Sequence, residues 1–239
     1  MIRSLAIALT LGLAMPAQAS DAEDFVTSNV ISALYHELGH ALIHLTDASV
    51  LGREEDAVDT LAVILLDELW EEDSAQLLTA MTALSFELAA QENEDPAYWD
   101  VHGHNMQRYY NQICLFYGAN PDARAELAST FELPDQRAAT CVEEYNLASA
   151  SWEAVLEPLK VGGSGRSIPF QGDSGTDIGA LLESEVADLN EIFTLPEHVI
   201  VAYESCGEEN AFYDPASLTI TICSEYVDFL ERQAIASDL

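Results

Sequence analysis

Apolar residues recur along most of this chain at intervals of three and four, the period of a helix with one buried face. Val30, Leu34, Leu38, Ala41 and Leu45 mark the first such face and predict a helix over residues 24–45. The stretch TDASVLG interrupts it. Ala57, Leu61, Ile64 and Leu65 then place a second helix over 53–69, and a third follows over 74–91. After a polar turn around Pro96, the pattern predicts a helix starting at Trp99 or His102 and ending near Tyr117, with further helices over 123–130 and 135–159. Residues 162–175 are glycine-rich and read as a loop. A helix over 178–191 has Leu181, Leu182, Val186 and Leu189 on one side. The period then changes. VIVAY (199–203) and SLTITIC (217–223) read as strands, with a turn at Asp214-Pro215 between them, and a helix over 225–234 closes the chain. The expected fold class is mainly α with a small C-terminal β element, an α+β arrangement.

The N-terminus departs from this pattern. One Arg precedes an apolar run from Leu5 to Met15, and Ala17-Gln18-Ala19 follows. That is the layout of a secretory signal cut after Ala19, and the run is short for a membrane span. The expectation is a signal peptide over 1–19, a single domain over 20–239, and a periplasmic or secreted location without stable membrane insertion. With 239 residues, 49% of them apolar, the chain is long enough for one substantial core. Its 42 acidic residues face 8 basic ones, a net charge of −34, and Lys160 is the single lysine. Such a surface repels nucleic acid and anionic membranes and disfavours acidic substrates. The four cysteines, Cys114, Cys141, Cys206 and Cys223, form no CxxC pair. In an exported protein an even number implies disulfides. Of the three possible pairings the sequential one is favoured, because Cys206 and Cys223 bracket what reads as a short hairpin. The oligomeric state is not legible.

The chemistry sits in YHELGHALIH (35–44). His36 and His40 are four residues apart, so on a helix both imidazoles reach one ion. Glu37 stands beside the first. A carboxylate there can take the proton from a water as it attacks a peptide carbonyl, then pass it to the leaving amine. Two histidines leave a tetrahedral catalytic site one ligand short. Ile43 and Thr46 exclude the version in which a glycine and a third histidine complete the pattern. GREEDAVD (52–59) supplies the alternative: Glu55 as third ligand, with Glu54 one register away as the other choice. Asp59 shares a helical face with Glu55 and could accept the N–H of a ligating histidine. An ordinary acidic helix start would also place Glu54, Glu55 and Asp56 here. Gly39 weakens a helix by about 1 kcal/mol relative to Ala, which makes sense if another segment packs close to it. His44 continues the line of histidines but falls a turn beyond the ion, as a rim or structural residue.

The passages YHELGHALIHLTDASVLGREEDAVDTLAVILL, YWDVHGHNMQRYYNQICLFYG, LPDQRAATCVEEY and CGEENAFYDPASLTITICSEY together resemble, in matching order, a bacterial family of exported zinc metallopeptidases labelled a domain of unknown function. The resemblance covers nearly the whole chain after residue 19. It implies a zincin-like fold of the glutamate type, zinc as cofactor on His36, His40 and Glu55, and Glu37 as general base. Two places depart from the family pattern: His104, and the ending CSEY. The remaining candidates for the cleft, or for stabilising the oxyanion, are His102, His104, Arg108, Tyr109, Asn210 and Tyr213, with Arg108 also a candidate for a buried ion pair. The function expected is a zinc-dependent hydrolase of peptide or protein substrates. A metal-containing scaffold without turnover and an amidase for small substrates are the alternatives.

Overall fold

A computed structural model of the chain describes residues 17–92, 98–160 and 165–239. Helices dominate it: α1 (Ala17–Thr46), α2 (Glu54–Leu69), α3 (Glu72–Glu92), α4 (Asn105–Ala119), α5 (Pro121–Thr130), α6 (Asp135–Leu156), α7 (Asp177–Ile192) and α8 (Ser224–Ala236). Four strands, β1 (Phe170–Gln171), β2 (Ile200–Glu204), β3 (Ala211–Asp214) and β4 (Thr219–Cys223), form one small sheet. The chain is therefore mainly helical with a minor sheet, the α+β class its periodicity predicts. Most of the expected signal segment, the turn at Pro96 and Gly162 and Gly163 of the expected loop lie outside the described residues. Helix α1 already runs from Ala17, so the expected cut after Ala19 falls in its first turn.

Helix α1 is the central element and packs against α2, α3, α8, β3 and β4. Phe25, Val30, Ile31, Leu34, Leu38 and Leu42 form its buried stripe. Each aliphatic side chain so buried contributes about 1.5–3 kcal/mol relative to exposure. Asp47, in the left-handed region at φ 52°, stops the helix, a conformation that Asp tolerates better than most residues. The chain then turns and α2 returns antiparallel to α1. The two helices approach closely because Gly39 has no side chain: a Cβ there would lie 2.8 Å from Cβ of Val58. Tyr35, next to His36, is fully buried and donates to the Glu185 carboxylate on α7 at 2.5 Å, while accepting from the Trp70 indole at 2.8 Å. On the far side of α2, Arg124 is buried among Asp67, Glu72 and the Phe116 carbonyl, which locks α5 to α2, α3 and α4.

The sheet order is β1-β2-β4-β3. The two strands expected from the alternating pattern are neighbours, but they run parallel, Val201 opposite Ile220. They are not the arms of one hairpin. The hairpin is β3–β4, with Phe212 opposite Thr221. All four β3 residues are half-buried, so the strand shows no inside-outside alternation in sequence. The disulfides are Cys114–Cys141, between α4 and α6, and Cys206–Cys223, which ties the end of β2 to the end of β4. This is the sequential pairing. Closing loops of 27 and 17 residues stabilises by about 3.5 and about 3 kcal/mol in the chain-entropy picture. Such crosslinks fit an oxidising compartment. Among the described residues, no helix is long and apolar enough to cross a membrane.

Candidate metal centre

The antiparallel pairing of α1 and α2 brings the two motifs face to face. Nδ1 of His36 meets Oδ1 of Asp59 at 2.8 Å, and Nδ1 of His40 meets Oε1 of Glu54 at 2.7 Å. With Nδ1 held by a carboxylate, each ring keeps its proton there and turns Nε2, with its lone pair, toward the gap between the helices. In that gap stands Oε2 of Glu55, 3.2 Å from His36 Nε2 and 3.4 Å from His40 Nε2. His36, His40 and Glu55 are the group among the described residues whose ligand atoms all lie within 4.8 Å of one another.

Oε2 of Glu55 is buried and makes no hydrogen bond in the structure, in spite of these near neighbours. Lone pairs on two imidazoles aimed at a buried carboxylate oxygen repel unless a cation lies between them. The spacings fit one: zinc bonds of 2.0–2.2 Å in a tetrahedron set ligand atoms about 3.3–3.5 Å apart. Without a cation the cluster collects protons. Burial alone would lower His36, but the carboxylates of Asp59 and Glu55 facing its two nitrogens outweigh it and push the imidazole up to about 9.

Asp59 is fixed from behind. Nε and Nη2 of Arg108, from α4, both donate to it at 2.7 Å. Arg108 thus serves the ion pair rather than the open cleft, and the guanidinium and His36 hold the Asp59 carboxyl well below the usual range against its burial. Glu37 points to the other side of the cluster, Oε1 3.9 Å from His36 Nε2. Burial pushes its carboxyl above the usual range. His36, His40 and the backbone N–H of Tyr213 oppose that shift.

Of the other expected cleft residues, His102 is at the centre and Tyr213 at the edge. Nε2 of His102 lies 3.1 Å from Glu55 Oε2, with its ring stacked on His36 at 6.2 Å. Asp100 holds it, accepting from the His102 backbone N–H at 2.9 Å and facing Nδ1 at 3.2 Å. Asp100 is a participant that sequence reasoning missed. Its signal was present: an Asp two residues before an exposed His forms a local side-chain turn. Tyr213 lies on edge strand β3, and its hydroxyl meets His44 Nδ1 at 2.8 Å, outside the His36, His40 and Glu55 group. Cys223 N–H donates to the Asn210 carbonyl. Alternation along the antiparallel ladder then turns the N–H and C=O of Ala211 and Tyr213 outward, away from β4. Asn210 therefore contributes its backbone to the hairpin. His104 caps α4 with Gln107. Tyr109 is buried and donates to the Phe131 carbonyl at 2.9 Å. The structure brings neither of these two to the metal cluster.

Two histidines and a carboxylate are a donor set that could hold one metal ion, with a second carboxylate, Glu37, beside them. Residues 11–156 and 176–238 match the model of the DUF4344 family, described as "Putative metallopeptidase". The chain belongs to this family. No curated protein and no solved structure matches it.

Proposed function

We propose that the protein is an exported zinc-dependent peptidase, with His36, His40 and Glu55 as ligands and Glu37 as general base. The observation that carries this reading is the unpaired, buried Glu55 oxygen between two imidazoles whose far nitrogens are held by Asp59 and Glu54. Bound zinc supplies Lewis acidity, which lowers the pKa of water to about 7 and polarises a carbonyl. The chain's own residues do the rest. Glu37, raised by burial, accepts the proton of the attacking water on its carboxylate and returns it to the leaving nitrogen. His102, oriented by Asp100 and raised by the neighbouring Glu55 carboxylate, can as an imidazolium donate from Nε2 to the oxygen that becomes negative as the carbonyl is attacked. Arg108 keeps Asp59, and through it His36, in place. The outward N–H and C=O of Ala211 on β3 offer backbone pairing to an extended peptide. The two disulfides and the N-terminal run support export.

Metal content and hydrolysis of a mixed peptide library, measured on wild type and Glu37→Gln, test this. The variant should keep zinc and lose at least about 100-fold in turnover, the usual contribution of a positioned base. Full zinc occupancy with no turnover in either protein would refute the enzyme and leave a metal-holding scaffold.

A further inference from the structure

Two loops border the cluster, and both expose large apolar side chains. In the loop before α2, Leu51 is 102% exposed; in the loop before α4, Tyr98 is 81%, Trp99 88% and Val101 62% exposed. Only Leu147 and Ile235 among the other described large apolar residues are more than 60% exposed. The loops lie side by side, because Gly103 sits against the Arg53 guanidinium and the Asp56 carboxylate. They also lie at the centre itself. Trp99 is three residues from His102, and a chain extends at most about 3.6 Å per residue, so it stays within about 11 Å of that histidine's backbone. Isolated exposed apolar residues need no explanation, but a group of them beside a site does.

Carboxylates surround this group. Glu54, Asp56 and Asp100 have side chains between 44% and 52% exposed. The one cation among them, Arg53, is already paired with Asp56 at 3.0 Å. A second copy of the chain would bring the same acidic rim and a charge of −34, which opposes self-association through this face.

We propose that these loops form the selectivity surface of the site, taking a bulky apolar residue next to the scissile bond of a cationic, amphipathic peptide. This rests on the peptidase reading for its bond cleavage, not for its binding. Trp99 supplies the stacking area, since an aromatic of this size buries 150–250 Å². The carboxylate rim selects Lys and Arg further along the peptide and steers its approach.

The test is binding to the zinc-loaded Glu37→Gln protein, which does not consume the peptide. Trp152 is buried and Trp70 half-buried, so an emission shift on binding reports mainly Trp99. The probes are a blocked Lys-Gly-Phe-Leu-Gly-Lys peptide, its Ala-Ala version in place of Phe-Leu, and its version with Glu in place of Lys. The first should bind at least about tenfold more tightly than either of the others, and 0.5 M salt should remove its advantage over the Glu peptide. Trp99→Ala, read by calorimetry, should lose about tenfold of the Phe-Leu preference with zinc content unchanged, and Trp99→Phe should retain most of it. Equal affinity for the Phe-Leu and Ala-Ala peptides, binding of neither, or an unchanged preference in Trp99→Ala overturns the proposal. Hydrolysis by wild type without side-chain preference overturns it while leaving the peptidase standing. Selective binding without hydrolysis by wild type removes the peptidase and leaves this surface.

Discussion

Replacing Gly39 by Ala adds one methyl group and should loosen the metal centre more than the fold. The new Cβ would stand 2.8 Å from Cβ and Cγ1 of Val58 and 3.3 Å from its Cα. Carbon atoms rest about 3.5–4.0 Å apart, so α1 and α2 must separate by about 0.7–1.2 Å. No rotamer change relieves this, because Cβ and Cα of Val58 move only with the helix. Overpacking of this kind costs about 1–3 kcal/mol, and replacing a helix glycine by Ala returns about 1 kcal/mol. The net loss is about 0–2 kcal/mol, a fall in melting temperature of at most about 8 °C for a chain this long. The centre tolerates far less. Its ligand atoms come from both helices, with spacings of 3.2 and 3.4 Å, and workable metal distances allow about 0.2 Å. Zinc affinity should therefore fall by about 10–100-fold, as it does when a supporting partner of a ligand is lost. Chelator competition measures the affinity, and melting in excess EDTA measures the fold alone. Gly52→Ala is the control: nothing lies within 4 Å of the added Cβ, and its zinc affinity should match wild type. A Gly39→Ala protein with wild-type zinc affinity would show that the close approach of α1 and α2 does not set the ligand spacing, and the reasoning would fail.

Glu55→Ala should abolish stoichiometric zinc after dialysis, while Glu54→Ala, which removes only the partner of His40 Nδ1, should weaken zinc by about 10–100-fold; similar zinc loss in both would reverse or blur the assignment of ligand and support. Arg124→Met should act on the fold and not on the metal. It leaves Asp67 and Glu72 without their buried cation, a loss of about 3 kcal/mol, which lowers the melting temperature by about 6–12 °C at unchanged zinc affinity; a melting temperature within 2 °C of wild type would count against the network.

The residues that were legible in sequence are those whose geometry is local. His36 and His40, and Glu55 and Asp59, are each one helical turn apart, so periodicity alone puts each pair on a face. What periodicity leaves open is rotation. Glu54 and Glu55 differ by about 100° around α2, and both turn out to face α1, one toward the gap between the imidazoles and the other toward Nδ1 of His40. A single carboxylate could not do both, which gives the doubled acid a physical reason. Pairings between distant segments carry no such local mark. The parallel contact of β2 with β4 depends on β3 occupying the far edge, and the half-buried β3 has neither face fully in the core. In sequence Arg108 stands both as a cleft candidate and, with more weight, as an ion-pair partner, and the approach of α4 to α2 puts it on Asp59. That contact has a consequence for the centre. Three elements, α1, α2 and α4, meet at Asp59 and its partners, so the orientation of His36 depends on the packing of α4, which Cys114–Cys141 in turn binds to α6. The position of the His36 ring, a proposed ligand, is thereby tied to a crosslink two helices away, a coupling that neither motif contains.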